Sequence, residues 1–174
     1  MGAILLLAFV TLQRLSELWL SRRNTALLRQ RGAVEVAPGH YPLIVALHAA
    51  WLASLWLAGP GRDLQDIWLM AFVVLQALRF WVLSTLGRRW TTRILVVPGE
   101  HLVAQGPYRF FAHPNYAVVV GEIAVLPLAL GLPWHALVFT ILNAAVLTVR
   151  LRAENAALDP LRRRAAEKVP RDAA

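Results

Sequence analysis

The segment Gly106–Tyr116 reads G-P-Y-R-F-F-A-H-P-N-Y, and the rest of the chain is organised around it. A glycine, two prolines and an asparagine within it prevent a continuous helix. Residues 117–132, which follow, are almost all apolar, so this polar and aromatic segment stands at the mouth of a membrane-length helix. Irregular polar backbone at that depth is tolerated where it is buried in protein or lines a cavity. The segment therefore predicts a ligand site at a membrane surface.

The composition of the whole chain indicates an integral membrane protein. Hydrophobic residues make up 58% of the 174 residues and the mean hydropathy is +0.53, which is more apolar than a soluble domain of this size. We expect a single domain over residues 1–174. Cysteine is absent, which excludes disulfides and thiolate chemistry. The net charge of +8 comes from arginines in short loops beside apolar runs, a pattern typical of topology signals and contact with membrane lipids rather than of nucleic-acid binding.

The apolar runs predict an all-α protein with about five transmembrane helices, at 3–20, 40–59, 64–86, 117–132 and 134–158. The predicted connections are a loop at 21–39, nearly uncharged turns at 59–63 and 131–133, and the segment 87–115 with a short β-like run at 94–97. Asp159 and Pro160 are expected to end the last helix and to leave 159–174 as a basic, partly mobile tail.

The distribution of arginine predicts the orientation of these spans. The 21–39 loop, the 87–115 segment and the C-terminal region are rich in arginine, whereas the N-terminus and the two short turns are nearly bare. The positive-inside rule then places the N-terminus outside and the C-terminus inside. The polar segment would therefore face the cytoplasm.

Polar side chains share one face of the last helix. Asn143, Leu147, Arg150 and Glu154 are spaced by four, three and four residues, which places them on one side. This face permits two interpretations. Arg150 either lies at the headgroup level and pairs with Glu154, or it forms a bidentate clamp for an anion or cofactor.

The fourth helix carries a second polar face. Asn115 and Glu122 are seven residues apart, and the tight turn at 131–133 makes this helix a neighbour of the last one, so that the two polar faces can meet. Alternatively, Asn115 is only the N-cap of the helix and Glu122 is a satisfied structural acid. On the first helix, Arg14 and Glu17 are expected to pair, since they lie three residues apart.

Several kinds of chemistry have no motif in this sequence. The five histidines, His113 among them, are scattered without an H-x-x-x-H pair or a companion acid cluster, so no metal site is expected. No G-x-S-x-G, P-loop or G-x-G-x-x-G occurs, and hydrolase and nucleotide-fold interpretations have no support.

The order of these features resembles the isoprenylcysteine carboxyl methyltransferase family. That family looks like H-x-L-V-x-x-G-x-Y, then H-P-x-Y five residues on, then R-x-x-x-E after a helical hairpin. The corresponding elements, within residues 93–158, are Leu102-Val103, Gly106-Pro107-Tyr108, His113-Pro114-Asn115-Tyr116, and Arg150 with Glu154. The N-terminal part is similar to small bacterial members encoded beside type III polyketide synthases, which methylate the ring hydroxyl of alkylpyrones. The shared stretches are Gln13–Leu18, Arg23-Asn24, Gly39–Pro42 and Ile94–Gly99.

The resemblance implies a methyltransferase of the bacterial plasma membrane that uses S-adenosyl-L-methionine in a cytoplasm-facing pocket. The segment before helix four and the extension of helix five would form the walls of that pocket. Carried over by position, the cofactor would contact Glu100, His101, Leu102, Val103, Gly106, Tyr108, His113, Pro114, Asn115, Tyr116 and Glu154. Arg150 and Glu154 would be catalytic, and the acceptor would contact Arg150, Asn143 and Glu122. Two positions depart from the family pattern: Glu100 stands where the family often has histidine, with His101 displaced by one, and Ala112 replaces the usual arginine.

The expected acceptor is an acidic hydroxyl of a lipophilic small molecule such as an alkylpyrone, which would enter from the bilayer. Carboxyl methylation of a prenylated cysteine would use the same site. An NADPH-dependent membrane reductase of the sterol-reductase kind is an alternative of another class, because its C-terminal half resembles this one. A non-catalytic scaffold is a third. The short chain and the H-P-N-Y form favour the methyltransferase, and the sequence predicts no oligomeric state.

Overall fold

The computed structural model describes residues 1–100 and 103–167, with side chains to residue 156. Within these ranges the chain forms five helices: α1 (Gly2–Gln30), α2 (Tyr41–Ala58), α3 (Asp66–Leu86), α4 (Pro114–Ala129) and α5 (Pro133–Glu167). Two two-residue strands, β1 (Val34–Glu35) and β2 (Leu95–Val96), and three short 3-10 turns, Pro38–His40, Gly87–Arg89 and Gly106–Arg109, complete the described structure. The predicted all-α membrane fold is confirmed.

Four of the described helical segments are long and apolar enough to cross a membrane: Gly2–Gln30, Pro38–Ala58, Asp66–Arg89 and Pro133–Ala156. α4 has 16 residues, fewer than the roughly 20 that a span needs. It nevertheless lies along α3: the Gln65 amide at the start of α3 donates to the carbonyl of Ala129 at 2.9 Å, and Gly106, before the start of α4, lies beside Thr85 near the end of α3. Of the about five predicted spans, four are long enough to cross a membrane. The remaining helix, α4, is short, central and well buried.

Two predicted helix boundaries are wrong. α1 continues to Gln30 instead of ending near residue 20, because its arginines favour a helix and the first helix breaker is Gly32, whose φ is +82°. α5 continues across Asp159 and Pro160 to Glu167. A proline removes one backbone donor and biases its predecessor, which kinks or breaks many helices but does not end every one. The predicted tail is thus helical to Glu167, and residues 168–174 lie outside the described part.

The predicted β-like run at 94–97 forms β2, which pairs antiparallel with β1 in the register Val34 to Val96. The Glu35 carboxylate accepts hydrogen bonds from Arg29 on α1 and from Arg93 before β2. Burial raises the pKa of Glu35, but the two guanidinium groups outweigh burial and hold that pKa below its usual range. This pairing fixes the 87–97 segment against the end of α1.

The apolar core lies among α1, α2, α3 and α4, towards the end of the bundle that holds the 59–63 and 131–133 turns. Its buried side chains are Ala3, Leu7, Val10, Trp51, Leu55, Phe72, Ile123, Leu126, Leu130 and Leu132. Gly131 has a φ of +67°, which permits the tight predicted turn that packs α4 on α5. Large apolar side chains on the outer faces, such as Phe80 and Ile141, are exposed, as expected for helices that face lipid.

Between α1, α3 and α4 lies an ion cluster, which we define as Arg14, Glu17, Arg79 and Glu122. Arg79 donates to both carboxylates, and Arg14 donates to Glu122 at 2.7 Å and to Glu17 at 3.1 Å. Two positive and two negative groups give a net charge of zero, which lowers the free-energy cost of burying them. The predicted Arg14–Glu17 pair is confirmed. The carboxylate of Glu122 takes its hydrogen bonds from α1 and α3, so its predicted meeting with the polar face of α5 does not occur.

Candidate active site

A cavity of about 460 Å³ opens where the segment before α4 meets α5, and we name it the polar cavity for the charged side chains in its otherwise largely apolar wall. Of the residues predicted to hold a cofactor, those that line it are Glu100, Val103, Tyr108, His113, Asn115, Tyr116 and Glu154. Arg150 also lines it. His101 and Leu102 lie outside the described residues. The fold thus brings seven of the predicted cofactor residues, from separate segments of the chain, to one cavity.

Gly106 and Pro114 shape this cavity without being part of its lining. Gly106 has a φ of +56°, and a Cβ there would meet Thr85 Oγ1 at 2.4 Å, so only glycine permits this approach of the 3-10 turn to α3. Pro114 is buried and occupies the first position of α4, where a missing backbone donor has no consequence. Both residues act on the backbone that carries the lining side chains.

The centre of the cavity is a chain of three polar side chains, Arg150, Tyr116 and Glu154. Arg150 Nε donates to the Tyr116 hydroxyl at 2.7 Å, and this hydroxyl donates to the Glu154 carboxylate in turn. The Arg150 guanidinium also lies 5.3 Å from the centre of the Tyr116 ring. Arg150 is only 8% exposed, which is too buried for a headgroup anchor. The structure therefore places Arg150 and Glu154 in one hydrogen-bonded chain through Tyr116, rather than in a direct pair.

His113 lies at the start of α4 beside this chain. Its ring stacks on Tyr116 with centroids 5.4 Å apart, and its Nε2 lies 3.2 Å from Asn155 Oδ1. His113, not Asn115, occupies the N-cap position, so the interpretation of Asn115 as only an N-cap is wrong. Asn115 Oδ1 is buried and finds no hydrogen-bond partner in the described part of the chain. Its side chain is thus available to a ligand.

The residues that hold Arg150 from its other side were not predicted from the sequence. Arg150 Nη1 donates to the backbone carbonyl of Thr92 at 2.8 Å. The Thr92 hydroxyl lies 2.8 Å from Ser21 Oγ and 3.2 Å from the Tyr41 hydroxyl, and the Thr92 amide donates to Ser21 Oγ at 2.9 Å. The signal for Ser21 was in the sequence: positions 14, 17, 21 and 24 are polar at helical spacing. This spacing predicts a longer α1 with one polar face directed into the bundle.

Tyr108 approaches the same carboxylate from the turn before α4. Burial and the nearby charge of Glu154 raise the pKa of the Tyr108 phenol well above its usual value. The phenol therefore stays neutral and acts as a donor or acceptor of hydrogen bonds, not as a base. No group of three or more His, Cys, Asp or Glu side chains able to hold a metal ion occurs among the described residues.

A second cavity of about 310 Å³, mostly apolar, lies between α1, α2, α4 and α5. Trp90, Thr91, Asn115, Tyr116 and Arg150 line both cavities. Asn143 lines the second cavity, and Glu122 is absent from the described lining of either. The Arg150–Tyr116 pair thus stands between the polar cavity, whose wall carries several charged side chains, and a second cavity whose wall is more apolar.

Comparisons with known proteins identify the family of this chain. The model of the isoprenylcysteine carboxyl methyltransferase (ICMT) family matches residues 68–160, which include α4, the segment before it and the described side chains of α5. The uncharacterized protein YpbQ of Bacillus subtilis is 41% identical over 159 residues, which cover 88% of this chain and 95% of the relative. An uncharacterized protein of Haemophilus influenzae is 24% identical over 154 residues, which cover 85% and 90%. No solved structure gives a significant match. With more than half of its length matched by the family model, the chain belongs to the isoprenylcysteine carboxyl methyltransferase family.

Proposed function

We propose that this protein transfers a methyl group from S-adenosylmethionine to an acidic oxygen of a lipophilic acceptor. Family membership supports membrane methyl transfer in general. The observation that carries the specific proposal is the position of Arg150 and Tyr116 between the polar and the apolar cavity. One compartment suits a charged, water-soluble cofactor, and the other suits a molecule that arrives from the bilayer. The reacting atoms would meet at their boundary.

The residues of the polar cavity fit the proposed cofactor. Glu154 offers a carboxylate to a positive group, and the stacked rings of His113 and Tyr116 offer an aromatic wall. Asn115 Oδ1 and Trp90 Nε1 are buried polar atoms that find no partner among the described residues, which is unfavourable unless a ligand supplies one. When bound, S-adenosylmethionine supplies an electrophilic methyl group on a sulfonium.

Arg150 is placed to hold the oxygen that receives the methyl group. Its Nε is used by Tyr116 and its Nη1 by the Thr92 carbonyl, so Nη2 is the nitrogen that remains for a ligand in the described structure. A guanidinium favours an anionic oxygen, and burial strengthens that attraction. An acidic hydroxyl or carboxyl is already ionised at neutral pH, so no strong base is required. Arg150 therefore orients and desolvates the nucleophile.

The proposed acceptor is the ring hydroxyl of an alkylpyrone-type polyketide. Two features support it: the apolar cavity beside Arg150, and the resemblance of the N-terminal part to the bacterial members described above. The carboxylate of a prenylated cysteine would meet the same guanidinium. Methyl transfer from labelled S-adenosylmethionine can be measured for both acceptors with purified protein in detergent. The favoured acceptor should show the higher kcat/KM.

Calorimetry on the purified protein tests the cofactor directly. We expect S-adenosylhomocysteine to bind, His113→Ala to weaken this binding strongly, and the control His135→Ala, outside the described lining of both cavities, to leave it unchanged. Binding of NADPH without any response to S-adenosylhomocysteine would overturn the proposal in favour of a reductase.

A further inference from the structure

Four helices each carry a second polar residue one level deeper in the bundle. At the level of the active site lie Ser21, Tyr41, Asn115 and Arg150; seven positions further into the bundle on the same helices lie Arg14, His48, Glu122 and Asn143. Seven residues of helix rise about 10 Å. The described structure therefore contains two polar levels separated by roughly 10 Å of largely apolar wall.

The apolar cavity reaches both levels. Arg150, Asn115 and Tyr41 line it at the first level, and His48 and Asn143 line it at the second. Between the levels its wall is formed by aliphatic side chains: Ile44, Val119 and Leu147. At the second level, Arg14, Glu17 and Arg79 of the ion cluster also contribute to the lining.

The second level has hydrogen-bonding groups that the described residues leave unused. His48 Nδ1 lies 2.9 Å from the carbonyl of Ile44 and can only donate to it, which leaves Nε2 of a neutral ring as an acceptor. Asn143 Nδ2 is a buried donor without a partner in the described part of the chain. Arg14 Nε is a second buried donor without a partner among the described residues. One acceptor and two donors thus border the same cavity, at a depth where unpaired polar groups are unfavourable and mark ligand paths.

The charge at this level selects the kind of ligand group. Two arginines and two glutamates of the ion cluster cancel, and each charge already has an opposite partner. A second carboxylate or an ammonium would find no net countercharge there. A neutral hydroxyl is suited to the site because it can donate to His48 Nε2 and accept from Asn143 Nδ2 at once.

We propose that the acceptor carries a second, neutral hydroxyl that binds at His48 and Asn143, about 10 Å along the bundle from the oxygen held by Arg150. This inference rests on the proposed function and narrows its substrate to a lipophilic molecule with two oxygen groups. A plain hydrocarbon chain in the cavity would leave His48 Nε2 and Asn143 Nδ2 unpaired, which is the physical basis of the discrimination.

A series of alkylpyrones tests this inference. One member has a plain chain, and the others carry a hydroxyl at successive carbons of a chain of equal length. We expect kcat/KM to be highest where the hydroxyl lies about 10 Å from the methylated oxygen, by about tenfold over the plain chain. A ratio near one at every position would overturn the inference, whereas absence of transfer to every pyrone together with absence of S-adenosylhomocysteine binding would overturn the proposed function.

Variants locate the effect at the second level. His48→Phe keeps a ring and removes the acceptor nitrogen, and Asn143→Leu removes the donor; each should lower the hydroxyl-to-plain ratio towards one. His135→Phe, the same change outside the described lining of both cavities, should keep the full ratio. Because the readout is a ratio, a variant with less folded protein still reports it. An unchanged ratio in both His48→Phe and Asn143→Leu would assign the second level to folding alone.

Discussion

The Tyr116 hydroxyl accepts a hydrogen bond from Arg150 Nε at 2.7 Å and donates one to the Glu154 carboxylate. A hydroxyl between a guanidinium and a carboxylate keeps both charges apart yet fixes their positions. Arg150 can then offer its remaining nitrogen to an acceptor while Glu154 faces the cofactor cavity. In the proposed function, the roles of Arg150 towards the acceptor and of Glu154 towards the cofactor thus lie on opposite sides of one tyrosine.

Tyr116→Phe tests this division. The ring keeps its stack on His113, but Arg150 and Glu154 lose their common partner. We expect single-turnover methyl transfer to fall by about 10- to 100-fold, since misplacement of a positioning group by an ångström has that effect. Affinity for S-adenosylhomocysteine, measured by calorimetry, should change much less. Equal losses in both measurements would mean that Tyr116 serves the cofactor alone.

Ser21→Ala tests whether α1 helps to position Arg150. The change removes the contacts of Ser21 Oγ with the Thr92 amide and hydroxyl, and the Thr92 carbonyl is the group that holds Arg150 Nη1. We expect kcat to fall about tenfold with little change in KM for the cofactor. Ser16→Ala, an exposed serine on the same helix, is the matched control and should behave like wild type. A variant with full kcat would restrict Ser21 to helix packing.

The orientation of the bundle remains a prediction that reporter fusions can decide. The structure places the 59–63 loop at one end with the α4–α5 turn, since Arg62 Nη1 donates to the Gly131 carbonyl. The candidate site lies at the other end, with α5 extending beyond it. Fusions in the 59–63 loop and after Ala174 should therefore report opposite sides, with the second inside. Equal signals would refute the arrangement.

Much of the fold could be predicted from local sequence. Apolar runs marked the helices, Gly131 and Pro133 marked the tight hairpin, and spacing placed Asn143, Arg150 and Glu154 on one face. These features depend only on helical periodicity and on backbone rules for glycine and proline.

Other features depend on contacts between distant segments, which cannot be predicted from the spacing of residues within one helix. Glu122 has its partners on α1 and α3, 43 to 108 residues away, and the sequence assigned it to the acceptor instead. The hydrogen bond between the side chains of Ser21 and Thr92 joins residues that are 71 positions apart in the sequence. The predicted fourth span, 117–132, has the length of α4 but lies three residues too late, because the helix begins at Pro114 in its first position and ends at Ala129.

Glu122→Gln tests the ion cluster as a source of stability. The change removes one negative charge from a buried group of two arginines and two glutamates, and leaves Arg14 or Arg79 without full compensation. We expect a loss of about 3 kcal/mol in the free energy of unfolding, measured in detergent. Adding Arg14→Gln restores the charge balance and should recover part of the loss. If the losses of stability in Glu122→Gln and Arg14→Gln simply added in the double variant, charge balance would not be the cause.

Arg150→Lys is the most demanding test of the active site. Lysine keeps the positive charge, but a single ammonium cannot contact the Tyr116 hydroxyl, the Thr92 carbonyl and an acceptor oxygen in the directions that the planar guanidinium provides. We expect methyl transfer in single turnover to fall about a hundredfold or more, with affinity for S-adenosylhomocysteine close to wild type. Arg152→Lys, an exposed arginine two positions further along α5, is the matched control and should retain full activity. If Arg150→Lys kept near wild-type turnover, the charge alone would suffice, and the oriented clamp inferred from the Tyr116 and Thr92 contacts would be wrong.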